Sequence, residues 1–259
     1  MNPAWLIPDW PVPLQVRSVC TTRTGGCSMA PYDSLNLGAH VGDRLSDVAA
    51  NREILQQSIA VRPIFLSQVH GVQVLELTQE TQQGTQADGC ITSQPGVACT
   101  VMVADCLPVL LSNRQGSLVA AAHAGWRGLA GQGGQGILET VVESFCAFGQ
   151  ADVWQAAPEL LVWLGPCIGP HEFEVGDEVR HVFVANDPAA AKLFVPTDSG
   201  KWLANLSGLA RLRLRAMGVA HIFGNDGSPP WCTVSQPSRF FSHRRDHVSG
   251  RLAACIWLA

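Results

Sequence analysis

ACTVMVADCLPVLLSNRQGSLVAAAH (98–123) packs three short apolar runs together with no helix-length segment between them. Residues 98–104 and 108–111 read as a hairpin interrupted by Asp105-Cys106, and 118–123 as a further strand ending on a histidine. Outward from this stretch, strands are expected over 15–21, 64–69, 89–93, 160–164, 221–224, 240–243 and 253–258, each bounded by Gly, Pro or polar residues. Helices are expected over 47–59 (Ser46 as N-cap), 137–148, 176–184, 188–193 and 203–217. In 137–148, Ile137, Leu138, Val141, Val142 and Phe145 form one apolar stripe. Strands outnumber helices and do not alternate with them regularly. The pattern therefore predicts one α+β domain over residues 1–259 rather than a doubly wound parallel sheet.

Composition narrows the function classes. Of 259 residues, 47% are apolar and 15% charged, against about 25% charged in an average soluble domain. Such a chain buries a full core and is not disordered. The net charge of −4 argues against a nucleic-acid polymer as partner. Residues 1–15 have no early Lys or Arg and are broken by Pro3, Pro8, Pro11 and Pro13, so no signal peptide is expected. The longest apolar region, 96–111, is cut by Asp105 and Pro108 and falls short of a membrane span. Nine cysteines with no CxxC pair read as reduced, cytoplasmic and mostly buried as small hydrophobes.

Several familiar motifs lead nowhere. Gly131 to Gly136 fits GxGxxG. It lacks the preceding strand and the later acidic residue of a dinucleotide site, and reads as a loop before a helix. GxSxG and HExxH are absent, as is the HxE with PCxxC of zinc nucleobase deaminases. His243 and His247 are four apart, but the expected strand at 240–243 and the adjacent Arg244 and Arg245 favour a structural role.

Three strand ends stand out: SQVHG (67–71), ADCLP (104–108) and AAHAGWRG (121–128). Each puts a metal-competent side chain beside a turn. If the ends converge, His70, Cys106 and His123 make a His₂Cys set with a fourth position open, as in catalytic zinc sites. Spacing alone favours a second reading, two core histidines and a buried thiol.

The same strings, with ADG (87–89), VADCLPVLL (103–111), LGPCIGP (164–170), EVGDEV (174–179) and FFSHRRDHVSGR (240–251), resemble the YfiH-type family. That family is variously called polyphenol oxidase (laccase domain), purine nucleoside phosphorylase and peptidoglycan editing factor. TTRTGG (21–26), SLNLGAHVGD (34–43) and NRE (51–53) extend the resemblance over essentially the whole chain. It implies an α/β/β/α arrangement with mixed sheets and a metal, most often zinc, on His70, Cys106 and His123. It also implies phosphorolysis of purine nucleosides (adenosine, inosine, guanosine or methylthioadenosine) by inorganic phosphate, with adenosine deamination as a further activity. His243 stands where relatives often carry Tyr.

The implied chemistry assigns provisional roles. Asp105 is a proton shuttle, a support for the metal ligands, or a cap of its own turn. Arg127 and Arg23 are phosphate-binding candidates, and Asn36 and His40 readers of ribose or phosphate. Cys106 is alternatively the nucleophile of a thiol hydrolase acting on peptidoglycan precursors, with His123 or His70 as base. A multicopper oxidase fits poorly, because the eight histidines include no HxH pair; copper remains an alternative metal at an N/S site. A monomer acting on small molecules, away from membranes, is expected.

Overall fold

A computed structural model describes residues 2–149 and 152–259. The chain runs β1 (Val16–Cys20), α1 (Leu45–Ile59), β2 (Arg62–Phe65), β3 (Val74–Glu76), β4 (Gly89–Thr92), β5 (Val97–Val103), β6 (Leu107–Asn113), β7 (Val119–Ala124), α2 (Trp126–Ala130) and α3 (Ile137–Gly149). It continues through α4 (Val153–Ala156), β8 (Leu160–Leu164), β9 (Glu174–Val175), α5 (Asp177–Asn186), β10 (Phe194–Pro196), β11 (Trp202–Ala204), α6 (Leu206–Ala216), β12 (His221–Gly224), α7 (His243–Asp246) and β13 (Leu252–Leu258). No helix among the described residues is long and apolar enough to cross a membrane.

Two mixed sheets lie face to face. One has the order β1-β13-β5-β2 and the other β12-β8-β6-β7-β4-β3; β9, β10 and β11 form a small separate sheet. Alternate side chains point to opposite faces of a strand, so a sheet covered on both sides needs apolar residues at every position. β5, β8 and β13 are buried throughout. Between the sheets, Cys99, Val101 and Ile256 meet Leu110, Ala121 and Trp163. The outer face of the first sheet packs Ala98, Met102 and Trp257 against Leu55 and Ile59 of α1. The outer face of the second packs Val109, Ala122 and Val162 against α3 and α6. These are the α/β/β/α layers that the resemblance implied.

The central expectation needs a correction. Residues 98–104 and 108–111 are not a hairpin: β5 pairs with β13 and β2, whereas β6 pairs with β7 and β8. Residues 104–106 carry the chain from one sheet to the other. Both strands are apolar on both faces, which a two-layer stack satisfies and a solvated hairpin does not.

Other differences are local. Arg44, not Ser46, occupies the N-cap of α1. Residues 188–193 form a 3₁₀ helix, and 203–217 divide into β11 and α6, which is capped by Asn205. Residues 240–243 are not a strand: Phe240 and Phe241 are both fully buried, and Ser242 caps α7 by accepting from the Arg245 amide. The glycine-rich segment is a tight turn in which Gln132 and Gln135 bridge.

The α3 and α6 layer is tied by one largely enclosed ion pair. Arg213 Nε donates to Glu139 Oε1 at 2.9 Å, and Arg213 Nη2 lies 2.9 Å from Glu139 Oε2. Glu139→Ala would leave that guanidinium without its counter-charge. The expected loss is about 3 kcal/mol of unfolding free energy, read by urea denaturation; a loss below about 0.5 kcal/mol would mean that water replaces the carboxylate freely.

Candidate metal centre and its cavity

The three strand ends converge, and a buried carboxylate brings two of them together. Asp88, fully buried just before β4, accepts through Oδ2 from the amides of Val69 (3.1 Å) and Gly71 (2.7 Å). Its Oδ1 accepts from the His70 amide (2.9 Å) and from His123 Nδ1 (2.8 Å). A carboxylate has about four lone-pair positions, and these contacts fill them. They hold His70 in a left-handed backbone conformation, φ 60°. They also fix the His123 ring so that Nε2 is free to act as a ligand. The His123 amide donates to the Asp88 carbonyl at 2.7 Å, so β4 and β7 set the pair in register.

Cys106 arrives from the crossing between the sheets. Its Sγ lies 3.7 Å from His70 Nε2. The ligand atoms of His70, Cys106 and His123 all lie within 4.8 Å of one another. Gly125 makes this closeness feasible: a Cβ there would sit 2.8 Å from His70 Cδ2 and 2.9 Å from Cys106 Sγ. The two imidazole nitrogens and one sulfur, with the His123 ring and the backbone of His70 held by one carboxylate, make a metal-competent donor set with room for a further ligand.

Electrostatics sharpen the set. Burial pushes the Cys106 thiol up, but the neighbouring imidazoles, His123 foremost, more than offset this and bring it down to about 6. Burial likewise opposes charge on His123, and the Cys106 thiolate with the Asp88 hydrogen bond lifts it to about 9. Burial would raise the Asp88 carboxyl; its bonds to His123, Gly71 and Val69 hold it below the ordinary range. These neighbours favour the Cys106 thiolate, the form that binds a cation or attacks an electrophile.

These side chains face a cavity of about 430 Å³, within the size range of small-molecule sites. Met102, Val103, Trp126, Ile168, Phe173 and Leu206 give it apolar and aromatic walls. His40, Gln68, Asp105, His243, Arg244 and Arg251 supply the polar groups. The side chain of Gln68 pins Met102, exchanging hydrogen bonds with its backbone at 2.7 and 2.8 Å.

The other sequence-predicted residues divide. His40 lines the cavity, its basicity lowered by burial and by the charges of Arg251, Arg52 and His123. Asp105 lines it too, at φ 89°, with its carboxylate taken by Thr233 Oγ1 and the Arg244 amide, each at 2.6 Å. Those are the contacts of a cap that docks α7 onto the crossing. Asn36 is fully buried; it accepts from the Gly38 and Arg251 amides and donates to Asp43. Arg127 stacks over Trp126 at 4.4 Å and lines a neighbouring depression with Gly71 and Gln135. Arg23 lies apart from the cavity, paired with Asp33 at 3.2 Å and donating to the Pro237 carbonyl. His243, expected to be structural on a strand, begins α7 at the cavity wall.

Asp88 and Arg251 sit inside the ADG and FFSHRRDHVSGR strings, and Arg244 beside His243, with no local signal of a role. Nothing local in ADG marks that aspartate as the anchor of a histidine 35 positions away. The strand pairing of β4 with β7 creates that relation.

Comparison with known proteins identifies the family. The profile of a family described as multi-copper polyphenol oxidoreductase laccase matches residues 17–259. The chain is 49% identical over 256 residues to a Pseudomonas aeruginosa protein named purine nucleoside phosphorylase PA4543, with 98% of each chain covered. It is 48% identical, at the same coverage, to the Escherichia coli protein named purine nucleoside phosphorylase YfiH. Among solved structures, the Neisseria meningitidis protein NMB0706 superposes with a TM-score of 0.89 at 43% identity, covering 98% of this chain and 99% of that one. YlmD from Geobacillus stearothermophilus superposes with a TM-score of 0.89 at 32% identity, covering 100% and 97%. With likeness of this extent in both sequence and fold, the chain belongs to the multi-copper polyphenol oxidoreductase laccase family, the YfiH-type family its motifs resemble.

Proposed function

We propose that this protein is a zinc-dependent purine nucleoside phosphorylase, working as one domain over residues 1–259, as a monomer in the cytoplasm. The observation that carries the reading is the His70–Cys106–His123 set at the wall of a mixed aromatic and cationic cavity. The names of the relatives at 49% and 48% identity support it. His70, Cys106 and His123 would hold the metal, and Asp88 orients both histidines. When bound, zinc supplies a Lewis acid at that wall. The donor chemistry suits one N/S-bound ion. Among the described residues this is the one such group, whereas a multicopper centre needs several histidine-rich sites.

The residues then have definable tasks. The apolar and aromatic wall of Met102, Ile168, Phe173 and Trp126 receives the flat purine and excludes water. Arg244 and Arg251 bring positive charge to the cavity, where an anionic nucleophile must meet an electron-poor sugar carbon. In the reaction, a phosphate oxygen bonds to the anomeric carbon as its bond to the purine nitrogen breaks. The electron pair leaves with the base, which takes up a proton. His40, kept largely neutral by its surroundings, can donate one hydrogen bond to sugar or phosphate. Asp105, supported by Thr233 and the Arg244 amide, keeps the Cys106 turn in place.

One observation favours a second reading. Cys106, His123 and Asp88 also form a thiolate–imidazolium–carboxylate series, the layout of a cysteine hydrolase, for which the peptidoglycan precursors implied by the family resemblance are the candidate substrates. That reading needs no metal.

Adenosine incubated with the zinc-loaded protein should yield adenine and ribose 1-phosphate only when phosphate is present, resolved by liquid chromatography. Inosine in both incubations would instead indicate deamination, and neither product would overturn the nucleoside reading. Cys106→Ala should lose bound zinc and reduce turnover by about three orders of magnitude or more while keeping the wild-type circular dichroism spectrum. A zinc-loaded variant with normal turnover would refute the assigned ligand set. Gly125→Ala has a compatible backbone, φ −67°, so its effect is steric. It should weaken zinc about tenfold or more, measured by competition with a chromogenic chelator. Unchanged affinity would show that His70 and Cys106 move aside without penalty.

A further inference from the structure

Guanidinium groups partly withdrawn from water usually face carboxylates. Around this cavity they do not. Arg251 Nη1 donates to the carbonyls of Ser249 at 2.9 Å and Gly250 at 3.1 Å. Arg244, an exposed residue, donates to the carbonyls of Glu172 and Glu174 at 3.2 Å. Arg52, whose Nη2 lies 4.0 Å from Met102 Sδ, donates to the Leu37 carbonyl and stacks on Phe65. Carbonyls satisfy N–H groups without cancelling charge. Among the described residues, no carboxylate lies within 4.0 Å of these three guanidinium groups. Asp105, the acidic side chain in the cavity wall, has both oxygens engaged elsewhere.

Arg251 is also aimed. The fully buried Asn36 accepts its backbone amide at 2.9 Å. Gly38 supplies the space for its side chain, since a Cβ there would sit 2.7 Å from Arg251 Cγ. Nε and Nη2 have no protein acceptor among the described residues, whereas Nη1 has two. His40 lies beside it and feels its charge. A pre-positioned guanidinium with no carboxylate in contact and two free donors, in a cavity wall near the metal ligands, fits an oxyanion that binds two oxygens to one fork.

We propose that Arg251, with His40 beside it and Arg52 behind Met102, forms the subsite for inorganic phosphate. The identity of the anion rests on the phosphorylase reading. The subsite stands apart from Arg23, which is paired with Asp33, and from Arg127, which lines the neighbouring depression. A carboxylate-bearing substrate, as the hydrolase reading would require, presents a similar pair of oxygens, so the test includes both anions.

The experiment titrates the zinc-loaded protein with inorganic phosphate, and separately with N-acetylglycine, by calorimetry at constant ionic strength. Wild type is compared with Arg251→Gln and Gly38→Ala, and KM is measured for phosphate and for adenosine. Phosphate binding should weaken about tenfold or more in Arg251→Gln, and the phosphate KM should rise in step. The adenosine KM should stay within about threefold and the zinc content should not change. Gly38→Ala, which keeps every charge, should also raise the phosphate KM, separating placement of the guanidinium from net charge. Phosphate affinity and KM unchanged in Arg251→Gln would overturn the subsite even with phosphorolysis intact. If the wild type performs no phosphorolysis, the phosphorylase reading fails; Arg251-dependent phosphate binding by calorimetry would still support the subsite. Binding of N-acetylglycine but not phosphate through Arg251 would overturn it in favour of a carboxylate site.

Discussion

The Asp88 carboxylate is the constraint around which the site is organised. It is fully buried, and a charge without partners there would be severely destabilising. Three successive amides from the 69–71 turn and one imidazole N–H provide the partners. Satisfying the carboxylate therefore forces a turn and a strand end, far apart in sequence, into one place. The same contacts put His70 into its left-handed conformation and choose the tautomer of His123. Two of the three proposed metal ligands are thus oriented by the physics of one buried charge.

The third ligand depends on the layering. β5 and β6 are apolar on both faces, and stacking two sheets buries both without exposing either. The link between them has to cross the interlayer space at the end of the sandwich, and Cys106 sits on that link. His123 continues the face of β7 that carries Val119 and Ala121 into the interlayer core. The edge of a hydrophobic sandwich is where an apolar wall and polar strand ends meet. The cavity consequently combines Met102, Ile168 and Phe173 with charged and metal-competent groups.

Legibility from sequence followed the range of the interactions. Apolar runs located β5, β7, β8 and β13 to within a residue or two, because strand patterning is local. The 240–243 segment failed for the same reason: Phe240 and Phe241 look like a strand, but they fill a gap against Val103 and Leu252 while Ser242 starts a helical turn. The hairpin expectation at 98–111 had the right strands and the wrong partners, since pairing is decided by which faces other elements cover. The small sheet of β9, β10 and β11 left little local trace, its strands being two or three residues long.

By itself, the sequence determined the apolar strands and the α+β class, because alternation is carried by the chain locally; it offered His70, Cys106 and His123 as metal-competent side chains beside three turns, and the family resemblance singled them out. Tertiary structure alone decided that Asp88 ties two of those residues together, that Asp105 caps α7, and that Asn36 and Gly38 position Arg251. It also placed Arg23 away from the cavity, beside Asp33. Each of these depends on which distant groups share a buried space, and hydrogen bonding and charge compensation there are settled only when the two sheets close on one another.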